Sequence, residues 1–252
     1  MENKAQELAL ADRLIIAIDI APRDCEVDPL EQVILREVRS YAESGITVKF
    51  NSVLRLLGYD FITTIRDMGL KVFADLKLND IPNTLKTDGD WLDLFGPDLV
   101  TVMCSTGVEA MEALTAELSN TEVLGVTTLT SLDDDACRRV FNRTPLEETR
   151  QFAELAAEAK IGGLILSPEE VKIVRNDISY GFTYTCPGIR PKWYQDANDD
   201  QKRVMTPEEA IAVGADRLVI GRPIRQSKDP QDAIKRTLEE IQKGLEARSQ
   251  NI

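Results

Sequence analysis

The stretch Arg13-Leu-Ile-Ile-Ala-Ile-Asp19-Ile-Ala-Pro-Arg23 decides the fold. Residues 13–19 form an apolar run, rich in isoleucine, that stops at a carboxylate. That is the composition of a buried parallel strand. The turn after it is the discriminating part. A doubly wound open sheet carries a glycine-rich turn after its first strand, where the backbone approaches a dinucleotide. Asp19-Ile-Ala-Pro-Arg23 contains no glycine, so a barrel is preferred and the open sheet is the alternative.

The same alternation repeats outward from this point. Strand-like runs recur at 45–50, 71–77, 99–103, 122–128, 162–166, 181–185 and 216–220. Segments of helical period lie between them, among them 30–42, 53–67, 107–118, 147–159 and 207–213, and a last helix is expected at about 230–247. With the first strand this makes eight β-then-α units, without a low-complexity linker to divide them. Continuous apolar strands separated by helices imply a parallel sheet covered by helices. Eight units in a chain of this length predict a (β/α)8 barrel of the TIM type. The expectation is one α/β domain over residues 1–252, with the barrel proper at about 13–225.

A chain of 252 residues with 43% hydrophobic content can bury a full core. Its net charge is −13, with the acidic residues spread along the chain. This argues against nucleic acid or an anionic membrane as the main partner, and a phosphorylated ligand would need a locally basic pocket. The four cysteines, Cys25, Cys104, Cys137 and Cys186, include no C-x-x-C pair and read as reduced thiols. The N-terminus lacks the regions of a signal peptide, and no apolar run reaches the roughly 18–20 residues of a membrane span. A soluble, cytoplasmic protein is expected. The chain has no histidine. That removes the commonest general base, the commonest transition-metal ligand and the usual partner of a nucleophilic Ser or Cys. Proton chemistry would fall to Lys, Asp, Glu or Tyr.

Chemistry in such barrels sits at the C-terminal ends of the strands. Asp19 ends the first strand, Lys49 the second, and Asp75 and Lys77 the third. Alternation places Asp75 and Lys77 on one face with Leu76 opposite, within reach of Lys49 on the neighbouring strand. Asp80 follows in the turn. Two unit charges about 4 Å apart interact by roughly 4 kcal/mol at an effective dielectric near 20, so such an array holds its members charged and in place. Gly221-Arg222-Pro223 follows the eighth strand directly. Loops at this point of a barrel often bind phosphate through backbone N–H groups and a basic side chain. The longest connection, 187–206, is polar and has the length of a lid or binding loop.

The segment Asp75-x-Lys77-x-x-Asp80-Ile81-Pro82-Asn83-Thr84 resembles the signature of the orotidine 5′-monophosphate decarboxylases. Other segments agree in order: Ile16-Ala-Ile-Asp19, Val48-Lys49, Val126-Thr-Thr-Leu-Thr-Ser131, Pro187-Gly-Ile-Arg-Pro191, Met205-Thr-Pro207 and Leu218-Val-Ile-Gly-Arg-Pro223. The similarity spans about residues 13–225. The resemblance implies a cofactor-free decarboxylation of orotidine 5′-monophosphate to uridine 5′-monophosphate in pyrimidine biosynthesis. It implies that Asp19 and Lys49 bind the ribose hydroxyls, Asp75 faces the substrate carboxylate, and Lys77 protonates C6. Thr130 would contact the pyrimidine. Pro187 would belong to the substrate-binding loop, and Arg190, Gln201, Gly221 and Arg222 would hold the phosphate. A homodimer is implied, with Asp80, Ile81 and Thr84 reaching the neighbouring subunit's site.

Leu78-Asn79 and Met103-Cys-Ser-Thr-Gly107 depart from the family pattern, which often carries histidine at both places. Two alternatives come from the same barrel. A Mg²⁺-dependent sugar-phosphate decarboxylase, such as 3-keto-gulonate 6-phosphate decarboxylase, shares Asp-x-Lys-x-x-Asp but carries an acidic residue where Lys49 stands. A catalytically inactive nucleotide-binding barrel would be expected to lose Asp75 or Lys77, and both are present.

Overall fold

The structure is a computed structural model that describes residues 8–21, 28–42, 44–194 and 205–250. Eight parallel strands close into a barrel in sequence order, β8 pairing with β1. They are β1 (Leu14–Ala17), β2 (Thr47–Phe50), β3 (Lys71–Leu78), β4 (Leu99–Met103), β5 (Glu122–Val126), β6 (Gly163–Ile165), β7 (Thr183–Cys186) and β8 (Arg217–Ile220). The helices outside are α1 (Leu30–Arg39), α2 (Ser52–Leu57), α3 (Asp60–Arg66), α4 (Pro82–Phe95), α5 (Val108–Glu117), α6 (Asp134–Phe141), α7 (Pro145–Glu158), α8 (Pro168–Asp177), α9 (Pro207–Ala212), α10 (Arg222–Arg225) and α11 (Pro230–Ser249). The expected (β/α)8 barrel is therefore present.

Helix starts follow local chemistry. Proline stands in the first turn of α4, α7, α8, α9 and α11, where its missing N–H costs nothing. Capping boxes Thr144/Glu147, Ser167/Glu170 and Thr206/Glu209 satisfy free backbone donors at α7, α8 and α9. The segment 53–67, expected as one helix, is two. Gly58 at φ 91° breaks it, and the chain restarts at Asp60. Val53, Leu54, Phe61, Ile62 and Ile65 are buried on both sides of the break. The apolar period runs through the kink, so periodicity alone cannot show it. Strand seven also begins later than its apolar run, at Thr183 instead of 181.

Alternation along the strands makes two cores. Ile16, Val48, Val72, Val100 and Leu164 point outward into the layer between sheet and helices. Ile15, Phe73, Leu99 and Leu124, with Ile165 and Val219 packed on them, fill the barrel interior. Below that layer Arg217 donates to Glu122 Oε2 (2.6 Å) and to Thr183 Oγ1 (3.1 Å), while the Thr183 hydroxyl donates to Glu122. This polar plug fills the N-terminal end of the barrel. Open space in the barrel lies at the opposite, C-terminal end.

Candidate active site

At the C-terminal mouth a cavity of about 570 Å³ opens among the strand ends and the loops that follow them. Its charged wall comes from β1 to β3, through Asp19, Lys49, Asp75 and Lys77. Lys49 and Asp75 rise directly above the apolar interior layer and are only 8% and 6% exposed. Lys49 Nζ lies 3.0 Å from Asp75 Oδ2 and 3.5 Å from Asp19 Oδ1, and Lys77 Nζ lies 2.6 Å from Asp75 Oδ1. The order is Asp19–Lys49–Asp75–Lys77, so charge alternates around the wall. Lys49 bridges the two carboxylates. Burial would raise the Asp75 pKa, but the ammonium groups of Lys49 and Lys77 outweigh it and hold the carboxyl below its ordinary value of 3.8. Asp75 is therefore an anion fixed between two cations.

Asp75 and Lys77 share a face, as alternation predicts, but the strand is irregular where they stand. The register of β3 against β4 shifts between Ala74 and Leu78, and Lys77 takes φ 50°. A lysine in the left-handed region costs on the order of 1–3 kcal/mol and persists only where its surroundings impose it. Leu76 points away into the outer core, as alternation predicts. The bulge aims Lys77 back at Asp75. Such irregularities in a strand re-aim side chains and are over-represented next to active sites.

The rest of the wall divides by chemistry. Phe73, Val126, Ile165, Leu166 and Val219 make an apolar floor and side. Thr128, Leu129 and Thr130 follow β5, and the Thr128 hydroxyl is held by Pro145 O (3.2 Å) and by Thr149 Oγ1 (3.0 Å). Pro187, Gly188 and Arg190 come from the start of the loop after β7, and Gly221 and Arg222 from the junction of β8 with α10. The expected basic pocket in an acidic chain is thus formed by Arg190 and Arg222. A third arginine, Arg225, also lines it. Its guanidinium binds Glu37 through Nε (2.5 Å) and Nη2 (3.0 Å) and donates from Nη1 to Asp19 O (2.6 Å). Tyr41 donates to Glu37 Oε1 (3.0 Å), and burial together with that carboxylate pushes the phenol pKa up. Arg225 ties the end of β1 to α10.

Of the residues expected at the site, Asp19, Lys49, Asp75, Lys77, Thr130, Pro187, Arg190, Gly221 and Arg222 meet at this one cavity. Asp80, Ile81 and Thr84 do not line it. The Asp80 carboxylate turns back to accept the Ile81 N–H (2.7 Å), and Ile81 is 65% exposed. Gln201 lies outside the described residues. Two further residues support the site without standing out in the sequence: Thr101, whose hydroxyl donates to Asp75 Oδ1 (3.0 Å), and Arg225. Thr101 reads as an ordinary β-branched strand residue, and the only signal is its parity with inward-facing Leu99. Arg225 stands three residues after Arg222, the spacing that puts two side chains on one side of a helical turn.

Residues 12–237 match the family described as Orotidine 5'-phosphate decarboxylase / HUMPS family. The chain is 37% identical over 222 residues to the orotidine 5'-phosphate decarboxylase of Streptococcus equi subsp. zooepidemicus, covering 87% of this chain and 93% of the relative. It is 34% identical over 248 residues to that of Dictyoglomus thermophilum, covering 94% and 98%. Among solved structures, the orotidine 5'-phosphate decarboxylase of Lactobacillus acidophilus superposes with a TM-score of 0.74 at 29% identity, over 91% of this chain and 99% of that one. With the barrel and its charged mouth in place, these matches over nearly the whole length assign the chain to the Orotidine 5'-phosphate decarboxylase / HUMPS family.

Proposed function

We propose that this protein is a cofactor-independent orotidine 5′-monophosphate decarboxylase that forms uridine 5′-monophosphate in the pyrimidine pathway of the cytoplasm. The observation that carries the reading is the Asp19–Lys49–Asp75–Lys77 array, buried at Lys49 and Asp75, in a cavity whose other side bears Arg190 and Arg222. Loss of carbon dioxide from orotidylate leaves an electron pair at C6 that the ring delocalises poorly. The Lys77 ammonium, set beside C6, stabilises that charge as it develops and delivers the proton. An interaction realised only in the transition state raises the rate, whereas uniform binding does not. Asp75 faces the departing carboxylate, and that repulsion is relieved as carbon dioxide leaves. Asp19 and Lys49 hold the ribose hydroxyls, Thr130 the pyrimidine, and Arg190, Gln201, Gly221 and Arg222 the phosphate, with Pro187 in the same loop.

A direct, metal-free reaction is favoured over a Mg²⁺-dependent one by the position of Lys49. Its ammonium stands between the carboxylates of Asp19 and Asp75, at 3.5 and 3.0 Å, where a divalent cation would otherwise bridge them. We also assign a homodimer in which Asp80, Ile81 and Thr84 complete the neighbouring subunit's site. These residues lie off their own cavity, and Ile81 (65% exposed) is followed on α4 by exposed Trp91 (57%) and Leu94 (71%). Trp91 and Leu94, three residues apart near the end of α4, form an exposed apolar pair that a subunit contact would cover. The function is tested by following the ultraviolet absorbance of orotidylate with the purified protein in excess chelator. Conversion to uridylate at an unchanged rate is expected. Activity that appears only on adding Mg²⁺ would overturn the metal-free reading.

A further inference from the structure

We propose that Thr101 is a positioning residue for the reaction, a hydroxyl relay that fixes both the Asp75 carboxylate and the displaced backbone of Lys77. The inference rests on the decarboxylase reading and deepens it. Thr101 stands on β4 in the sequence Leu99-Val-Thr-Val-Met103, where Val100 and Val102 face the outer core. It is fully buried and turned into the barrel. Its Oγ1 accepts the Lys77 backbone N–H (2.8 Å) and donates to Asp75 Oδ1 (3.0 Å). A threonine hydroxyl has one proton to give and lone pairs to accept with, so both bonds form at once.

The position explains the bulge. Between Ala74 and Leu78 the ladder of β3 to β4 slips, which frees the Lys77 N–H from regular pairing. A buried N–H left alone is costly, and Thr101 Oγ1 takes it. That bond holds Lys77 at φ 50°, and the same oxygen's proton orients the carboxylate that receives Lys77 Nζ (2.6 Å). Lys77 is thus gripped at both ends, by its backbone through Thr101 and by its ammonium through Asp75, in one closed circuit. Valine has the same shape and the same strand preference as threonine, so the hydroxyl is what this place requires. Thr101 is absent from the cavity wall and acts only through the two residues it holds.

The test compares Thr101→Val and Thr101→Ser with the wild type. For Thr101→Val we expect kcat to fall by about 10- to 100-fold, the scale for misplacing a reacting group by less than an ångström or so. KM for orotidylate should stay within about threefold, because the ribose and phosphate contacts are untouched. Thr101→Ser keeps the hydroxyl and should recover most of kcat. A second readout is independent of turnover: the Lys77 amide should exchange slowly with solvent in the wild type and Thr101→Ser, and faster in Thr101→Val. Wild-type kcat in Thr101→Val, or a Thr101→Ser enzyme as slow as Thr101→Val, would overturn the relay. Absence of orotidylate turnover in the wild type would instead sink the functional reading, and the amide exchange would still decide whether Thr101 holds Lys77.

Discussion

Asp75 is a carboxylate with three donors and almost no water. Lys49 and Lys77 supply charge, Thr101 a hydroxyl, and together they fill both oxygens. Its pKa is lowered because the two ammonium charges outweigh the cost of burial. A carboxyl whose folded pKa lies below the unfolded one stabilises the fold above the unfolded value and loses that contribution as pH falls through the folded value. The advantage of the wild type over Asp75→Asn in urea unfolding should therefore be full well above pH 3.8 and shrink as the pH is lowered past it. An advantage that grew in acid would contradict the assigned charge state. Arg222→Ala should raise KM for orotidylate and also lower kcat, each by about 10-fold or more, because phosphate binding energy is used in the transition state. A change in KM alone, measured by steady-state kinetics, would show that the phosphate contributes binding uniform to ground and transition state. At this scale the sequence was legible where a charge ends an apolar strand, as at Asp19, Lys49, Asp75 and Lys77. It was silent on Thr101 and Arg225, because their meaning lies in partners 26 residues upstream at Asp75 and 188 residues upstream at Glu37.

The elements carry the site by irregularity as much as by regularity. β3 is the longest strand among the described residues, and its last turn of pairing is displaced so that Lys77 faces Asp75. β6, at three residues, is short and begins at Gly163, where an added Cβ would press on Thr183 Oγ1 and lie 2.6 Å from Thr183 O. Gly163→Ala should cost about 1–3 kcal/mol by overpacking against β7, read as a lower urea midpoint with an unchanged slope. Wild-type stability would mean that the Arg217–Glu122–Thr183 plug yields more readily than its bonds suggest. Strand order and count were readable because each strand is an apolar run between polar turns. The split into α2 and α3 was not, since a glycine kink can leave the buried face continuous. The bulge in β3 was hidden for a related reason: alternation predicts the same pair of inward residues with or without it.

The whole molecule sets a local field against its own net charge. The chain carries −13, yet its cavity is lined by three arginines, Arg190, Arg222 and Arg225. An anionic ligand is therefore drawn to one place on an otherwise repelling surface. The barrel places every charged wall residue on one face and closes the other with the polar plug. Asp80, Ile81 and Thr84 remain outside this cavity, which is why the proposed site needs a second chain. Mixing inactive Lys77→Ala and Asp80→Ala proteins under conditions that exchange subunits should restore activity, since one hybrid site regains both residues. No recovery after exchange has been demonstrated would count against a shared site. The central claim is that the Lys77 ammonium, held by Asp75, makes the C6 carbanion accessible, and Lys77→Ala tests it most directly. Turnover of orotidylate should fall by more than about 10³-fold, the scale of lost electrostatic and acid catalysis, while calorimetric binding of uridylate stays close to wild type. Near-normal turnover in Lys77→Ala would contradict the account.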